Sequence, residues 1–378
     1  MGFHPYSTPY DWSRLGAAKQ LASAYPDGMI DLSIGSPVDA VPDSVRQALA
    51  DTSNAANAYG YPLAKGTAAL RQAVTDWFLA ERGVDFAAID ADLVPTQGSK
   101  EAVSLMASLL GLGEGDVVVQ PRISYPTYEI GSQLAGASTV KTDVECVESW
   151  ENVPNVKLVW VNSPSNPTGK ILDVDQLHAI VAAARRIGAI VVSDECYALM
   201  TWNEDEDDQT ITASPCILDP KVNDGSAKGL LCLYSMSKQS NMAGYRTAAI
   251  AGDSQLIGPM IDARKQIGQI ISGPSQAAMV AGLQDNEAVL KQHHRYQRRL
   301  RRLVQGLRSF GYDAEMPQGA LYIWVRSKSG DCWQDIDDLA RLGIVVAPGE
   351  FYGDAGFIRV SATATDEHVE AAVRRLGA

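Results

Sequence analysis

Lys238 stands in Ser235-Met236-Ser237-Lys238, directly after the apolar run Leu230-Leu231-Cys232-Leu233-Tyr234, and Arg246 follows eight residues later. An amine delivered at a strand end, with hydroxyls before it and a guanidinium after it, suits covalent attachment of a phosphorylated aldehyde. By itself, Ser-x-Ser-Lys is a solvated turn in most proteins. The segments upstream add to it. Asn162-Ser163-Pro164-Ser165-Asn166-Pro167-Thr168-Gly169 holds amide side chains on a loop stiffened by two prolines, and Ser193-Asp194-Glu195-Cys196-Tyr197 brings out a carboxylate and a phenol. An asparagine, an aspartate, a tyrosine, a lysine and an arginine thus appear in order, each at a strand end or in a loop after one.

Such groups need stiff supports. Val156-Lys157-Leu158-Val159-Trp160-Val161 and Ala189-Ile190-Val191-Val192 read as buried strands that end at those loops. Open α/β sheets place ligands at such strand tips. Ala102, Val103, Met106, Leu109 and Leu110 fall at helical spacing after Ser99, and Gly111 and Gly113 end that helix before Val117-Val118-Val119. Leu177, Ile180, Val181 and Ala184 form another helical face closed by Gly188. Apolar runs alternating with amphipathic stretches predict βα units and a mainly parallel sheet. Gly111-Leu112-Gly113-Glu114-Gly115 follows a helix and precedes a strand, the reverse of a dinucleotide loop, so it reads as a turn.

At 378 residues, with 46% hydrophobic and 20% charged, the chain is long enough for two or three domains and too apolar for disorder. Its 32 basic and 45 acidic residues leave a net charge of −13, which turns away a phosphate backbone and directs attention to small molecules. Cys146, Cys196, Cys216, Cys232 and Cys332 show neither metal-ligand spacing nor a disulfide framework, so a cytoplasmic setting without a metal is expected. No signal peptide and no membrane-spanning stretch is read. The pair His293-His294 lies among basic residues, and the arginines between Val289 and Leu307 read as the solvated faces of a surface helix. The acidic run Glu204-Asp205-Glu206-Asp207-Asp208 reads as a solvated loop.

Taken together, the ordered residues resemble those of the fold-type I pyridoxal-phosphate aminotransferases of the class I/II group, over nearly the whole chain from Asp31-Leu32-Ser33-Ile34-Gly35-Ser36-Pro37 to Phe357-Ile358-Arg359-Val360-Ser361. Within that group, Gln97-Gly98-Ser99-Lys100-Glu101, Ser124-Tyr125-Pro126-Thr127-Tyr128-Glu129, Ser237-Lys238-Gln239-Ser240-Asn241 and Ala347-Pro348-Gly349-Glu350-Phe351-Tyr352-Gly353 are most similar to the actinobacterial N-succinyldiaminopimelate aminotransferases. The resemblance implies a large cofactor-binding domain over residues 40–275 with a mainly parallel sheet flanked by helices. A smaller α+β domain would comprise residues 1–39 and 276–378, with Leu321-Tyr322-Ile323-Trp324-Val325 and Phe357-Ile358-Arg359-Val360 as strands.

It also implies roles. Lys238 would hold pyridoxal 5′-phosphate covalently and, once displaced, act as general base. Ser99, Lys100, Ser235 and Arg246 would bind the phosphate, although Ser99 serves equally well as a helix N-cap. Asp194 would keep the pyridine nitrogen protonated; Asn166 and Tyr197 would face the ring's phenolic oxygen. Tyr125 would stack on the ring, with Tyr128 a competitor for that place. Arg359, together with Gly35 and Asn166, would receive the substrate's α-carboxylate. Tyr61, followed by Gly66 and Leu70-Arg71, resembles the segment that reaches the phosphate site of a partner subunit in a homodimer.

The expected activity is a transaminase interconverting N-succinyl-2,6-diaminopimelate and its oxo counterpart, with glutamate and 2-oxoglutarate as the other pair, in lysine and diaminopimelate biosynthesis. Arg14, Lys19, Lys65 and Arg122 are open candidates for reading the distal end of that substrate. The alternatives are another class I/II aminotransferase acting on aspartate or aromatic amino acids, or a lyase using the same cofactor. A DNA-binding regulator would need a winged-helix segment, and none is read before Asp31.

Overall fold

Alternate residues of one strand show how the sheet is built. In Val156–Asn162, Val159 and Val161 pack into one apolar cluster while Leu158 and Trp160 pack into another on the opposite face. A strand buried on both faces needs apolar side chains in both directions, which is why the run shows no polar alternation. The computed structural model describes residues 6–55, 58–202 and 210–378; the acidic run Glu204 to Asp208 lies outside the described residues.

In chain order the strands are β1 (Ile30–Asp31), β2 (Ala91–Gln97), β3 (Val117–Pro121), β4 (Ser138–Thr142), β5 (Val156–Asn162) and β6 (Ile190–Asp194). They continue as β7 (Leu230–Ser235), β8 (Thr247–Asp253), β9 (Tyr322–Arg326), β10 (Ile344–Val345), β11 (Ala347–Pro348) and β12 (Phe357–Ser361). A seven-stranded sheet runs β2-β8-β7-β6-β5-β3-β4, parallel from β4 to β7, with β8 antiparallel to both its neighbours. Asn162 is in register with Asp194, and Asp194 with Leu233, so β5, β6 and β7 finish along one edge of the sheet. That edge carries the loops singled out in the sequence.

Helices cover both faces of this sheet. Val174–Ile187 starts with a reciprocal capping box, in which the Asp173 side chain accepts from the Gln176 backbone and Gln176 returns the bond, and it stops at Gly188 in the left-handed region. Its buried residues include Leu177, Ile180, Val181 and Ala184, the face read from the sequence. Three antiparallel strands, β11-β12-β9, form a second sheet, while β1 pairs in parallel with β10 and so ties the N-terminal segment to the C-terminal part. The expected passage between domains at residue 275/276 falls inside the helix Gly273–Gln284, which packs against Asp43–Thr52 and Ala68–Arg82.

The arginine-rich helix differs from its expected solvated form. Asn286–Ser309 buries Val289, Tyr296, Leu300, Leu303 and Leu307 as the spacing implies, yet it also buries Arg299. That guanidinium donates to both Asp39 oxygens at 2.7 Å and to Asp366 at 2.6 Å, while Arg302 grips Glu370 at 2.7 and 2.8 Å. Sequence periodicity places an arginine on a face but does not show the carboxylates that folding brings to it. His293 is buried, with Nε2 2.8 Å from the Thr201 carbonyl. All five cysteines are free thiols. Cys216 and Cys232 converge with Glu195 in the core, but the Glu195 oxygens accept from Arg82 at 2.7 Å and from the Ile217 amide at 2.8 Å. Among the described residues, no helix is long and apolar enough to cross a membrane.

Candidate active site

A cavity of about 410 Å³ opens at the edge where β5, β6 and β7 end. Asn166, Asp194, Tyr197, Ser235, Lys238 and Arg246 all line it, and so do Gly35, Ser99, Lys100, Tyr125 and Arg359. Residues from both sheets and from the N-terminal segment therefore meet in one place. Tyr61 is the exception: it is fully exposed, at 102% of its reference surface, and does not line the cavity of its own chain.

Lys238 sits on the single turn Met236–Gln239, whose first residues are held by Ser235: its hydroxyl accepts from the Ser237 amide at 3.2 Å. The Lys238 amine donates to the Gly35 carbonyl. Beside it, the helix Ser99–Leu109 begins at Gly98, whose φ of +79° suits glycine. A side chain there would also collide, because a Cβ at Gly98 would lie 2.5 Å from an Arg246 guanidinium nitrogen. Helix N-terminus, Ser99, Ser235, Lys100 and Arg246 thus share one end of the cavity, a donor set suited to a phosphate. Desolvation of its ammonium, and then the Arg246 charge, hold Lys100 below the ordinary lysine value.

Asp194 also lines the cavity, at 7% exposure. Tyr128 donates to one of its oxygens at 2.8 Å and the Cys196 amide to the other at 3.2 Å. Burial is the largest influence and raises its carboxyl above the ordinary value against those bonds. Tyr128 is stacked on Trp160, with centroids 4.7 Å apart, and Tyr125 meets Tyr128 edge-on. The two tyrosines therefore hold different positions: Tyr128 bonds the carboxylate and Tyr125 presents its ring to the cavity.

Arg359 comes from β12 and is 3% exposed. It donates to the Asn166 side-chain oxygen at 2.8 Å and to the Ser33 carbonyl at 2.7 Å, while its Nε has no partner among the described residues. The guanidinium rests on Tyr322, 4.1 Å from the ring centroid, and on Tyr352 at 4.5 Å. A buried cation with an unmet donor asks for an anion. Asn166, expected at the cofactor's phenolic oxygen, has its carbonyl oxygen committed to Arg359 and its backbone amide donating to Asn162.

Several lining residues were given no role from the sequence: Tyr10, Trp12, Asn162, Tyr322 and Tyr352. Each reads as ordinary core or loop from its neighbours alone. None of the four candidates for a distal reader lines the cavity. Arg14 pairs with Glu350 at 3.0 Å, Lys19 with Asp31 at 2.9 Å and Arg122 with Asp143 at 2.8 Å, while Lys65 is exposed elsewhere.

Residues 27–376 match the family described as Aminotransferase class I and II. The chain belongs to that family. These aminotransferases use pyridoxal phosphate, and the groups around the cavity fit it: hydroxyls, the Lys100 and Arg246 cations, the buried Asp194 carboxylate and the Lys238 amine. The aminotransferase is 42% identical over 370 residues to the 4-dedimethylamino-4-oxo-anhydrotetracycline transaminase OxyQ of Streptomyces rimosus, covering 97% of this chain and 98% of that one. It is 29% identical over 386 residues to an LL-diaminopimelate aminotransferase of Gloeobacter violaceus, covering 98% and 95% of the two chains. A solved structure of a probable N-succinyldiaminopimelate aminotransferase from Thermus thermophilus superposes with a TM-score of 0.84 at 23% identity, over 97% and 98% of the chains, which establishes a shared α/β fold of type I.

Proposed function

We propose that this aminotransferase interconverts N-succinyl-LL-2,6-diaminopimelate and its 2-amino-6-oxo counterpart, with glutamate and 2-oxoglutarate as the second pair. The reading rests on one observation above all: an amine, a buried carboxylate and a buried arginine with an unmet donor face a single cavity. Similarity to an LL-diaminopimelate aminotransferase along the whole chain supports a diaminopimelate-type substrate.

Ser99, Lys100, Ser235 and Arg246 would hold the phosphate of pyridoxal 5′-phosphate, Tyr125 its ring face, Asp194 its ring nitrogen, and Asn166 and Tyr197 its phenolic oxygen. When bound, the cofactor supplies an electron sink for the bond that breaks at the substrate's Cα. Lys238 would anchor it and, when released, its Nζ would take up the proton from the substrate's Cα and act as the proton carrier of the site. Asp194 stays ionised against the protonated ring, and Arg359 fixes the α-carboxylate so that the Cα proton faces Lys238.

A large cofactor-binding unit over residues 40–275, a smaller one over residues 1–39 and 276–378, and a homodimer in the cytoplasm complete the proposal. Tyr59, Tyr61 and Leu63 are exposed by 78%, 102% and 54% along one short stretch, which suits a segment covered by a second copy. Tyr61 would there reach the partner's phosphate site.

Arg359→Lys keeps the charge but loses the planar pair of donors. It should raise KM for the amino acid about 10- to 150-fold, the value of one charged hydrogen bond, with cofactor binding unchanged. Steady-state kinetics with glutamate check this, and an unchanged KM would assign the carboxylate elsewhere.

The substrate is tested by incubating the protein with glutamate and the succinylated oxo acid and measuring 2-oxoglutarate. No turnover there, with activity on aspartate or aromatic amino acids, removes the diaminopimelate reading. A second reading is favoured by the cavity wall. Its four cations, Lys100, Lys238, Arg246 and Arg359, all have roles already, and the rest includes Tyr10, Trp12, Tyr125 and Tyr352. Such a wall suits a ring-bearing ketone, the kind of substrate named for the relative at 42% identity. An aromatic ketone in the same panel separates the two.

A further inference from the structure

Tyr322 opens β9 and is 2% exposed, so from sequence and burial alone it is a core residue of the smaller sheet. It packs in the core, and it makes polar contacts besides. The guanidinium of Arg359 lies over its ring at 4.1 Å, and its hydroxyl is 2.8 Å from that of Tyr197, the two rings meeting at 74°. Gly35 presses on the same hydroxyl: a Cβ there would come within 2.0 Å of it, so only glycine lets the backbone approach. The carbonyl of Gly35, in turn, accepts from Lys238. One phenol therefore touches the arginine, the tyrosine and the backbone that bear on the substrate carboxylate, the cofactor oxygen and the reactive amine.

We propose that Tyr322 is a positioning residue that locks Arg359 and Tyr197 into one rigid unit, its ring face orienting the carboxylate clamp and its hydroxyl orienting the Tyr197 phenol. This rests on the roles proposed above for those three residues. Two separate parts of one side chain serve two separate steps: the ring serves substrate binding, and the hydroxyl serves chemistry. The titratable and charged groups that face Tyr322 are Tyr125, Tyr197, Lys238, Tyr296, Tyr352 and Arg359, from elements on all sides of it. Burial acts to raise its phenol, but the charges of Lys238 and Arg359 outweigh burial and hold it below the ordinary tyrosine value. Removing the hydroxyl thus takes a proton-bearing group out of the neighbourhood of Lys238 as well as a hydrogen bond from Tyr197.

The test compares Tyr322→Phe with Tyr322→Leu in the cofactor-loaded enzyme, with glutamate as donor. The phenylalanine keeps the ring under Arg359, so KM should stay within about twofold while kcat falls about tenfold. The pH midpoint of the visible cofactor absorbance should move by about one unit, the equivalent of one hydrogen bond. The leucine removes the ring as well, and KM should then rise about tenfold in addition. A phenylalanine variant with the parent's titration midpoint and parent kcat overturns the proposal. So do two variants that lose kcat and KM together in step with a lowered Tm, since that is the signature of damaged packing. If the leucine variant does not fold, the absorbance titration of the phenylalanine variant decides alone. The site reading fails by a different result, a Lys238→Ala protein that still fixes the cofactor under borohydride.

Discussion

Lys238→Ala should lower turnover by about four orders of magnitude or more, because on the proposed roles one substitution removes both the covalent anchor and the general base. The two losses are separable. Borohydride reduction of the loaded parent should leave the cofactor attached to the chain at residue 238, and mass spectrometry of the alanine variant should find none attached. Lys100 is the other lysine on the cavity wall, and cofactor fixed there would show that the anchor was misassigned. The fold should survive the change. Lys238 is only partly buried and its amine donates to a backbone carbonyl, so truncation leaves one acceptor at a cavity rim rather than a hole in the core. A thermal transition within a few degrees of the parent's is the accompanying check.

Asp194→Asn should act in opposite directions on activity and on stability. In the role proposed for it the ionised carboxylate keeps the pyridine nitrogen protonated, and losing such a preorganised charge should lower turnover by about 10²- to 10³-fold. Yet burial raises this carboxyl above the ordinary value in the folded protein. The sign of the pH dependence follows. A group whose folded value is raised binds its proton more tightly when folded, so its contribution to stability is full below the unfolded value and is lost as pH rises through the folded value. The cofactor-free parent should therefore gain thermal stability on mild acidification, by a component that the asparagine variant lacks. At neutral pH that variant, without a buried charge, should melt at or above the parent. Calorimetry of both cofactor-free proteins across the acidic range checks this; a parent destabilised relative to Asp194→Asn at no pH removes the argument.

Site and fold were legible to different depths. The strands β5, β6 and β7 were readable because burial on both faces demands uninterrupted apolar runs, and the loops after them because proline, glycine and polar residues end such runs. That parallel strands finish at one sheet edge follows from the fold class, so the meeting of Asn166, Asp194, Tyr197, Lys238 and Arg246 was foreseeable from their order. The separate positions of Tyr125 and Tyr128 were not. Three residues apart in sequence, they are indistinguishable until β5 supplies Trp160 for one of them to stack on and β6 supplies Asp194 for it to bond.

The sequence by itself carried the resemblance to the class I/II aminotransferases and the pattern of an α/β sheet, because motifs and strand patterning are both local in sequence. Tertiary structure decided which charges remain for chemistry. Arg299, expected in solvent, is spent on Asp39 and Asp366, whereas Arg359 is buried with an unmet donor on a bed of tyrosines. Both are buried arginines, and what separates them is the partners that distant segments bring. An ion's state depends on the few ångströms around it, and those are set by contacts more than 200 residues apart, as between Arg299 and Asp39 or between Lys238 and Gly35.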